Sequence, residues 1–141
     1  MLSKKLYYLL SFTWGLPLTI VGGLVALWLL IRGRKPTRFG WCLYFEVGKT
    51  NWGGLEFGPI FLCERDPSWY IKKHEFGHGI QNCFWGPLII FVICIPSAIR
   101  YLFRRWKKSR GATELPPYDS IWFEGQATEL GTKYITKIIN G

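Results

Sequence analysis

Histidine is scarce in this sequence, whose 141 residues include only His74 and His78. Zinc sites take at least three protein ligands, so a site built on this pair must draw its third ligand from aspartate, glutamate or cysteine. The four cysteines form no Cys-x-x-Cys pair, which argues against a cysteine-based zinc site. The sequence also has no internal repeat and no recognisable nucleic-acid-binding motif.

Acidic residues are half as numerous as basic ones, nine against 18, and the formal net charge is +9. Much of the excess follows an apolar stretch directly and alternates with Tyr101, Phe103 and Trp106. Basic and aromatic residues beside an apolar stretch are typical of the headgroup region of an anionic leaflet. We therefore expect membrane lipid, and no nucleic acid, as the partner of this charge. The basic residues are Arg100, Arg104, Arg105, Lys107, Lys108 and Arg110.

Two long apolar stretches indicate a membrane protein. Residues 6–31 contain no charged side chain, and about 20 apolar residues suffice to cross a bilayer, so we predict a transmembrane helix with a possible kink at Gly15-Leu16-Pro17. Residues 83–99 are marginal for a crossing and contain Pro87 and Pro96. Basic residues follow both stretches, and such residues favour the cytoplasmic side of the membrane. Both basic segments can lie on that side only if the second stretch re-enters the membrane without crossing it. Two crossings with an external site stay open.

The segment His74-Glu75-Phe76-Gly77-His78 matches His-Glu-x-x-His. On a helix, positions i and i+4 share a face, so both imidazoles can bind one zinc ion while Glu75 takes a proton from a zinc-bound water. Asp66-Pro67-Ser68 before the motif and Gly86-Pro87 after it predict a helix over residues 67–84. Gln81 shares the histidine face and is a candidate to support a ligand. The alternative is two solvated histidines on an amphipathic helix.

Two glutamates near the end of the chain are candidates for the third ligand. The pattern of apolar residues predicts a helix from Asp119 to about Ile139. Glu124 lies in its first turns beside two aromatic residues, and Glu129 points about 140° away from it, so one helix cannot present both to the same ion. The sequence favours Glu124, while a site without either carboxylate stays open.

The stretches 39–47 and 55–63 are rich in aromatic and β-branched residues and flank the glycine-rich segment 48–54. This pattern predicts a β-hairpin before the metal-binding helix. Pro59 suits an edge strand, and we expect Glu46 and Glu56 on the solvated or interfacial face of the hairpin.

The motif His-Glu-x-x-His, followed downstream by Glu-x-x-Ala-x-x-x-Gly, resembles the gluzincin metallopeptidases, in particular the membrane-bound members of the CaaX-processing and heat-shock type. Glu124, Ala127 and Gly131 match the second pattern. Thr128 stands where those enzymes have an aspartate that supports a ligating histidine, and a neutral hydroxyl does this more weakly. Phe39 to Gly141 is also similar to small bacterial membrane proteins with no assigned substrate.

The resemblance implies that the predicted edge strand, Leu55 to Cys63, binds an extended peptide by strand addition, although a purely structural hairpin stays open. The expected fold is α+β, a membrane-anchored minimal zincin. A transmembrane segment with its basic flank covers residues 1–38, and a zincin-like domain covers residues 39–141, including the apolar segment 83–103.

The expected function is that of a membrane-integrated zinc metalloendopeptidase of a bacterial cytoplasmic membrane. Its cofactor is Zn²⁺, its site faces the cytoplasm, and its substrate is a peptide or membrane-protein segment. Tyr118, Tyr134 and Arg100 are open alternatives for stabilising the reacting carbonyl oxygen. A non-catalytic membrane interaction module and a zinc hydrolase of a non-peptide substrate are the alternative functions.

Overall fold

A computed structural model describes all residues, 1–141, as an α+β fold of five α-helices and one four-stranded sheet. Short 3-10 turns lie at Gly86–Leu88 and Tyr118–Ser120, and a π-helical turn lies at Ile90–Cys94. In chain order the elements are α1 (Lys4–Ser11), α2 (Leu16–Ile31), β1 (Thr37–Phe39), β2 (Cys42–Glu46), β3 (Gly54–Phe57), β4 (Ile60–Cys63), α3 (Trp69–Trp85), α4 (Ile95–Ser109) and α5 (Trp122–Asn140).

The sheet is mixed, with strand order β1-β2-β4-β3. β1 pairs with β2 and β3 pairs with β4 in antiparallel fashion, while β2 and β4 run parallel. The prediction of one hairpin from the stretches 39–47 and 55–63 is therefore wrong, because each stretch is itself a small hairpin. Gly40 and Gly58 supply the positive φ that their turns require, 58° and 71°. Pro59 lies in the second turn, and only β3 of the predicted edge strand lies at the edge.

The sheet lies between α2 and α3. Along β4, Phe61 belongs to the core cluster that includes Phe76 of α3, whereas Ile60 packs with Leu29 of α2. Glu56 pairs in register with Phe61 and so faces α3, where only 8% of it is exposed. The expectation of a solvated Glu56 is wrong for this reason, while Glu46 is exposed.

The boundaries of the two site-bearing helices differ slightly from the sequence prediction. α3 begins at Trp69, and its N-cap is Ser68, whose Oγ accepts a hydrogen bond from the Ile71 amide. Asp66 has a left-handed φ of 52° and does not cap the helix. α5 begins at Trp122, because Asp119 lies in the preceding 3-10 turn.

Two glycines allow α3 and α5 to touch through their backbones. A Cβ atom at Gly77 would lie 1.8 Å from the carbonyl oxygen of Ala127, and one at Gly131 would lie 1.8 Å from that of Lys73. No side chain fits at either position. Glycine weakens a helix interior by about 1 kcal/mol relative to alanine, and here that cost is offset by the close approach of α5, which carries Glu124.

Both apolar stretches are broken in the structure. The apolar stretch 6–31 is broken next to the predicted kink at Gly15-Leu16-Pro17, since α1 and α2 meet at 88°. The helical segments Trp69–Leu88 and Ile90–Ser109 meet at 115°. No helix alone has the length and apolarity to cross a membrane, although each bent pair does by length and composition. α1 packs against the rest of the fold, where Tyr7 contacts Cys42 and Ser11 contacts Cys83.

Candidate metal centre

Three buried side chains from two helices converge on one point. Nε2 of His74 and Nε2 of His78 lie 2.9 Å and 3.1 Å from Oε2 of Glu124, and the two nitrogens lie 3.2 Å apart. The helical turn between positions 74 and 78 brings the imidazoles together, and the contact between α3 and α5 brings the carboxylate. These three residues form a group that can hold a metal ion.

The separations suit a tetrahedral ion. With metal–ligand bonds of about 2.0–2.2 Å, the ligand atoms of a tetrahedral zinc site lie about 3.3–3.6 Å apart. The observed separations of 2.9, 3.1 and 3.2 Å are only slightly shorter, so small side-chain shifts admit the ion. Two histidines and a glutamate leave the fourth position for water, which is the donor set of catalytic rather than structural zinc sites.

Thr128 holds the far side of the His74 ring. Its Oγ1 lies 2.9 Å from Nδ1 of His74 and 3.3 Å from Oδ2 of Asp119. The ring therefore donates to Thr128, whose single hydroxyl proton has two acceptors at similar distances, the Asp119 carboxylate and the backbone oxygen of Glu124 at 3.2 Å. Tyr70 donates to the same carboxylate oxygen at 2.9 Å. The Asp119 carboxylate thus supports His74 indirectly, through the Thr128 hydroxyl, where a direct aspartate partner would contact the ring itself.

Gln81 performs the equivalent task for His78. Its Oε1 lies 2.7 Å from Nδ1 of His78, and its Nε2 donates to the backbone oxygen of Phe123 and to Oε1 of Gln126. The amide oxygen can only accept, so Nδ1 carries a proton, and Nε2 of His78, which faces Glu124, is the nitrogen that can bind a metal when it carries none. The two amide hydrogen bonds to α5 also lock α3 and α5 in register.

The second oxygen of Glu124 is held by α4. Ser97 donates a hydrogen bond to Oε1 of Glu124 and lies 3.2 Å from the hydroxyl of Tyr118. Burial acts to raise the pKa of Glu124, but hydrogen bonds from His74 and His78 outweigh it and hold the pKa of this carboxyl well below its usual range. The carboxylate is therefore ionised, as a metal ligand must be.

Glu75 contributes no atom to the triad and instead lines a cavity of about 800 Å³ beside it. The cavity lies between β3, with the loop before it, and α4. Gly54 of β3 lies so close that a Cβ atom there would stand 2.6 Å from Oε1 of Glu75. The absence of a side chain at Gly54 therefore makes room for the Glu75 carboxylate beside the edge strand.

Two further titratable groups line the cavity. Burial is the main cause that raises the pKa of Glu56 to about 8, and its Oε1 has no hydrogen-bond partner. Burial likewise raises the pKa of Tyr118 to about 12. Both groups therefore tend to keep a proton near neutral pH in the absence of a metal. Burial also raises the pKa of Glu75, so the arrangement places three groups that can hold or release a proton around a metal-binding triad.

The structure brings together His74, His78 and Glu124, and it leaves Glu129 exposed. Sequence reasoning missed Ser97, Asp119 and the burial of Glu56, because each depends on contacts between distant segments. Only Asp119 had a usable clue, since it lies nine residues before Thr128, but a helix cap was the simpler interpretation.

Comparisons with protein-family models, curated proteins and solved structures give no significant match. The chemical interpretation of this centre therefore depends on the residues and the geometry described above.

Proposed function

We propose that this chain is a membrane-bound zinc-dependent metalloendopeptidase. The observation that carries the proposal is the convergence of two histidine nitrogens and one carboxylate oxygen within 2.9–3.2 Å, with Glu75 beside them at the wall of an open cavity. A closed structural zinc site has no use for a second carboxylate that binds no metal and lies between its two histidines in the sequence. A hydrolytic site needs one.

His74, His78 and Glu124 would hold the zinc ion, which when bound would lower the pKa of a water and polarise the carbonyl of the scissile bond. Glu75 accepts the proton of the attacking water and then delivers it to the departing amine. Its position next to Gly54 keeps the carboxylate at the edge of β3, where a bound chain would pass. The hydrogen bonds of Thr128, Gln81 and Ser97 hold the three ligands in position.

Among the three candidates for stabilising the carbonyl oxygen, Tyr118 is favoured. Its protonated hydroxyl lines the cavity beside Ser97. Tyr134 is buried and accepts a hydrogen bond from the Leu2 amide, away from the triad. Arg100 donates to the backbone oxygens of Pro117 and Tyr118, so it holds the turn that carries Tyr118 rather than acting on substrate.

The peptide class of substrate is supported by the free edge of β3. This strand pairs only with β4, so its other edge presents backbone groups to the cavity, which Gly53, Gly54 and Leu55 line. An extended peptide can pair there as a fifth strand. In this proposal the substrate-binding strand is β3 alone, in place of the whole stretch from Leu55 to Cys63.

Membrane attachment is supported by exposed apolar side chains on two elements. The outer face of α2 exposes Leu24, Leu27 and Trp28, while its inner face packs on the sheet. α4 exposes Ile99 and Phe103 on one face. Neighbouring exposed apolar side chains of this kind often mark a membrane interaction site. We propose that they lie in a bacterial cytoplasmic membrane, with the cavity open to the cytoplasm.

The likeness to membrane-bound gluzincins is part of this proposal. Ala127 and Gly131 of the Glu-x-x-Ala-x-x-x-Gly pattern have a physical role here, because both lie where α5 touches α3. The departure at position 128 is compensated through Asp119, which restores a carboxylate to the support of His74.

Purified full-length protein in lipid nanodiscs tests the proposal. Elemental analysis should find about one zinc per chain, retained in Glu75→Gln and in Glu129→Gln but lost in His74→Ala and weakened in Glu124→Gln. Peptide hydrolysis should fall by about 10²–10⁴-fold in Glu75→Gln. Equal hydrolysis by wild type and Glu75→Gln would refute the assignment of the base. Full zinc without cleavage of any peptide would favour an interaction module.

A further inference from the structure

The wall of the cavity opposite β3 is basic. One face of α4 lines the cavity, with residues that recur every three or four positions. Toward the C-terminal end of the helix, this face carries Arg104, Arg105 and Lys108. The opposite face of the same helix exposes Ile95, Ile99, Phe103 and Trp106. The positive face of α4 therefore points toward the site and the apolar face points away from it.

These cations have no acidic partner in the chain. The only ion pairs within 4.0 Å join Glu124 to His74 and His78. Arg104 lies over the ring of Tyr118 and donates to the backbone oxygen of Pro116, and Arg105 lies over the ring of Tyr101. Both guanidinium groups are thus held by neutral groups that leave their charge uncompensated. The opposite wall has two acidic residues outside the metal centre. Glu56 tends to keep its proton, because burial raises its pKa to about 8, and Glu64 accepts a hydrogen bond from the Gly53 amide.

We propose that the site selects extended peptides that carry acidic side chains a few residues from the cleaved bond. Arg104, Arg105 and Lys108 bind these acidic side chains. This inference depends on the proposed peptidase function and adds its substrate class. Charge complementarity is the reason: an anionic side chain is the group that three unpaired cations at one end of a cleft attract.

The distance along α4 fixes where the acidic side chains must lie. Ser97 touches the metal ligand Glu124, and Arg104 and Lys108 follow it by seven and eleven residues in the same helix. At 1.5 Å per residue this places the cations about 10–16 Å from the metal centre. An extended peptide advances about 3.3 Å per residue, so the acidic side chains lie about three to five residues from the scissile bond.

The test uses the zinc-loaded full chain in nanodiscs of neutral phosphatidylcholine and two fluorogenic peptides. The peptides are identical except for Glu or Gln at positions three to five residues from the cleaved bond. The acidic peptide should be cleaved with a kcat/KM about tenfold higher, the scale of two partly exposed ion pairs. The preference should vanish in Arg105→Gln/Lys108→Gln and at 1 M salt, where the Debye length is about 3 Å.

A matched control removes two charges from exposed positions of α5, as Lys133→Gln/Lys137→Gln, and should leave the preference unchanged. Reversal of the charges, as Arg105→Glu/Lys108→Glu, should transfer the preference to a peptide with Lys at the same positions. A charge-reversed variant that still prefers acidic peptides would overturn the proposal.

A binding assay separates this inference from the proposed function. Fluorescence anisotropy of the labelled peptides on zinc-loaded Glu75→Gln needs no hydrolysis, so tighter binding of the acidic peptide supports the inference even if wild type cleaves nothing. Equal affinities overturn it even if wild type is a peptidase. If Arg105→Gln/Lys108→Gln lowers only the binding to phosphatidylglycerol vesicles and not the peptide preference, the cations serve lipid headgroups and the proposal is wrong.

Discussion

Replacement of Gly77 by alanine should destroy the metal centre, although it adds only one methyl group. The new Cβ would lie 1.8 Å from the backbone oxygen of Ala127, whereas ordinary contacts begin at 3.4 Å. The helices α3 and α5 must therefore separate by about 1.6 Å at this point, the difference between these two distances. Backbone atoms of both helices form the contact, so no side-chain rotation can relieve it.

The separation acts directly on Glu124, which lies one helical turn before Ala127. A metal–oxygen bond of about 2.0–2.2 Å that lengthens by more than 1 Å is no longer a bond. We expect zinc affinity to fall by about 100-fold or more. Removal of a residue that only supports a ligand costs about 10–100-fold in metal affinity, and here the ligand itself moves away. Helix propensity opposes this result, since alanine is better than glycine by about 1 kcal/mol, but overpacking costs about 1–3 kcal/mol.

Competition with a chromophoric zinc chelator measures the affinity, and circular dichroism separates loss of the site from loss of the fold. Gly23→Ala is the matched control, because Gly23 also lies inside a helix but has no atom within 4 Å of its Cβ position. It should keep the wild-type zinc affinity. Wild-type affinity in a folded Gly77→Ala protein would refute the argument that backbone contact positions the third ligand.

Two further results are expected. Thr128→Val should weaken zinc binding by about 10–100-fold in the same chelator assay, because His74 loses its link to a carboxylate. Thr132→Val, one turn further on, is the control and should have no effect. Equal losses in the two variants would contradict the reasoning. In metal-free protein, burial raises the pKa of Glu56 from 4.5 to about 8, so the folded state holds this proton more tightly than the unfolded chain and the free energy of unfolding should fall as pH rises from about 4.5 to 8. Glu56→Gln should make that fall smaller in denaturant titrations, since the raised pKa values of Glu75 and His78 act in the same direction and remain. Parallel pH profiles of variant and wild type would show that Glu56 does not contribute.

The sequence predicted well those features that depend on spacing within one element. Positions 74 and 78 share a helix face by geometry alone, and aromatic neighbours marked Glu124 as a buried carboxylate. The α+β class also follows from local patterns. These features need no knowledge of which segments meet.

Features that depend on pairing between segments were not predictable. The stretches 39–47 and 55–63 look like two strands, but the tight turns at Gly40 and Gly58 divide each of them, and the parallel pairing of β2 with β4 leaves no local pattern. Glu56 was placed on the wrong face because its burial follows from its register with Phe61. A kink near Gly15-Leu16-Pro17 was predicted, but the 88° angle between α1 and α2 has no local pattern in the sequence.

The backbone contact between α3 and α5 makes the two sequence patterns of this protein a single motif in two pieces. His-Glu-x-x-His supplies two ligands, but the third arrives only if position 77 and position 131 both lack a side chain. A search for proteins with the same centre should therefore require the glycines together with the ligands. A chain that keeps the histidines but carries a larger residue at the position of Gly77 must hold its helices further apart. Its third ligand must then be a side chain that extends further from the second helix, or a residue of another element.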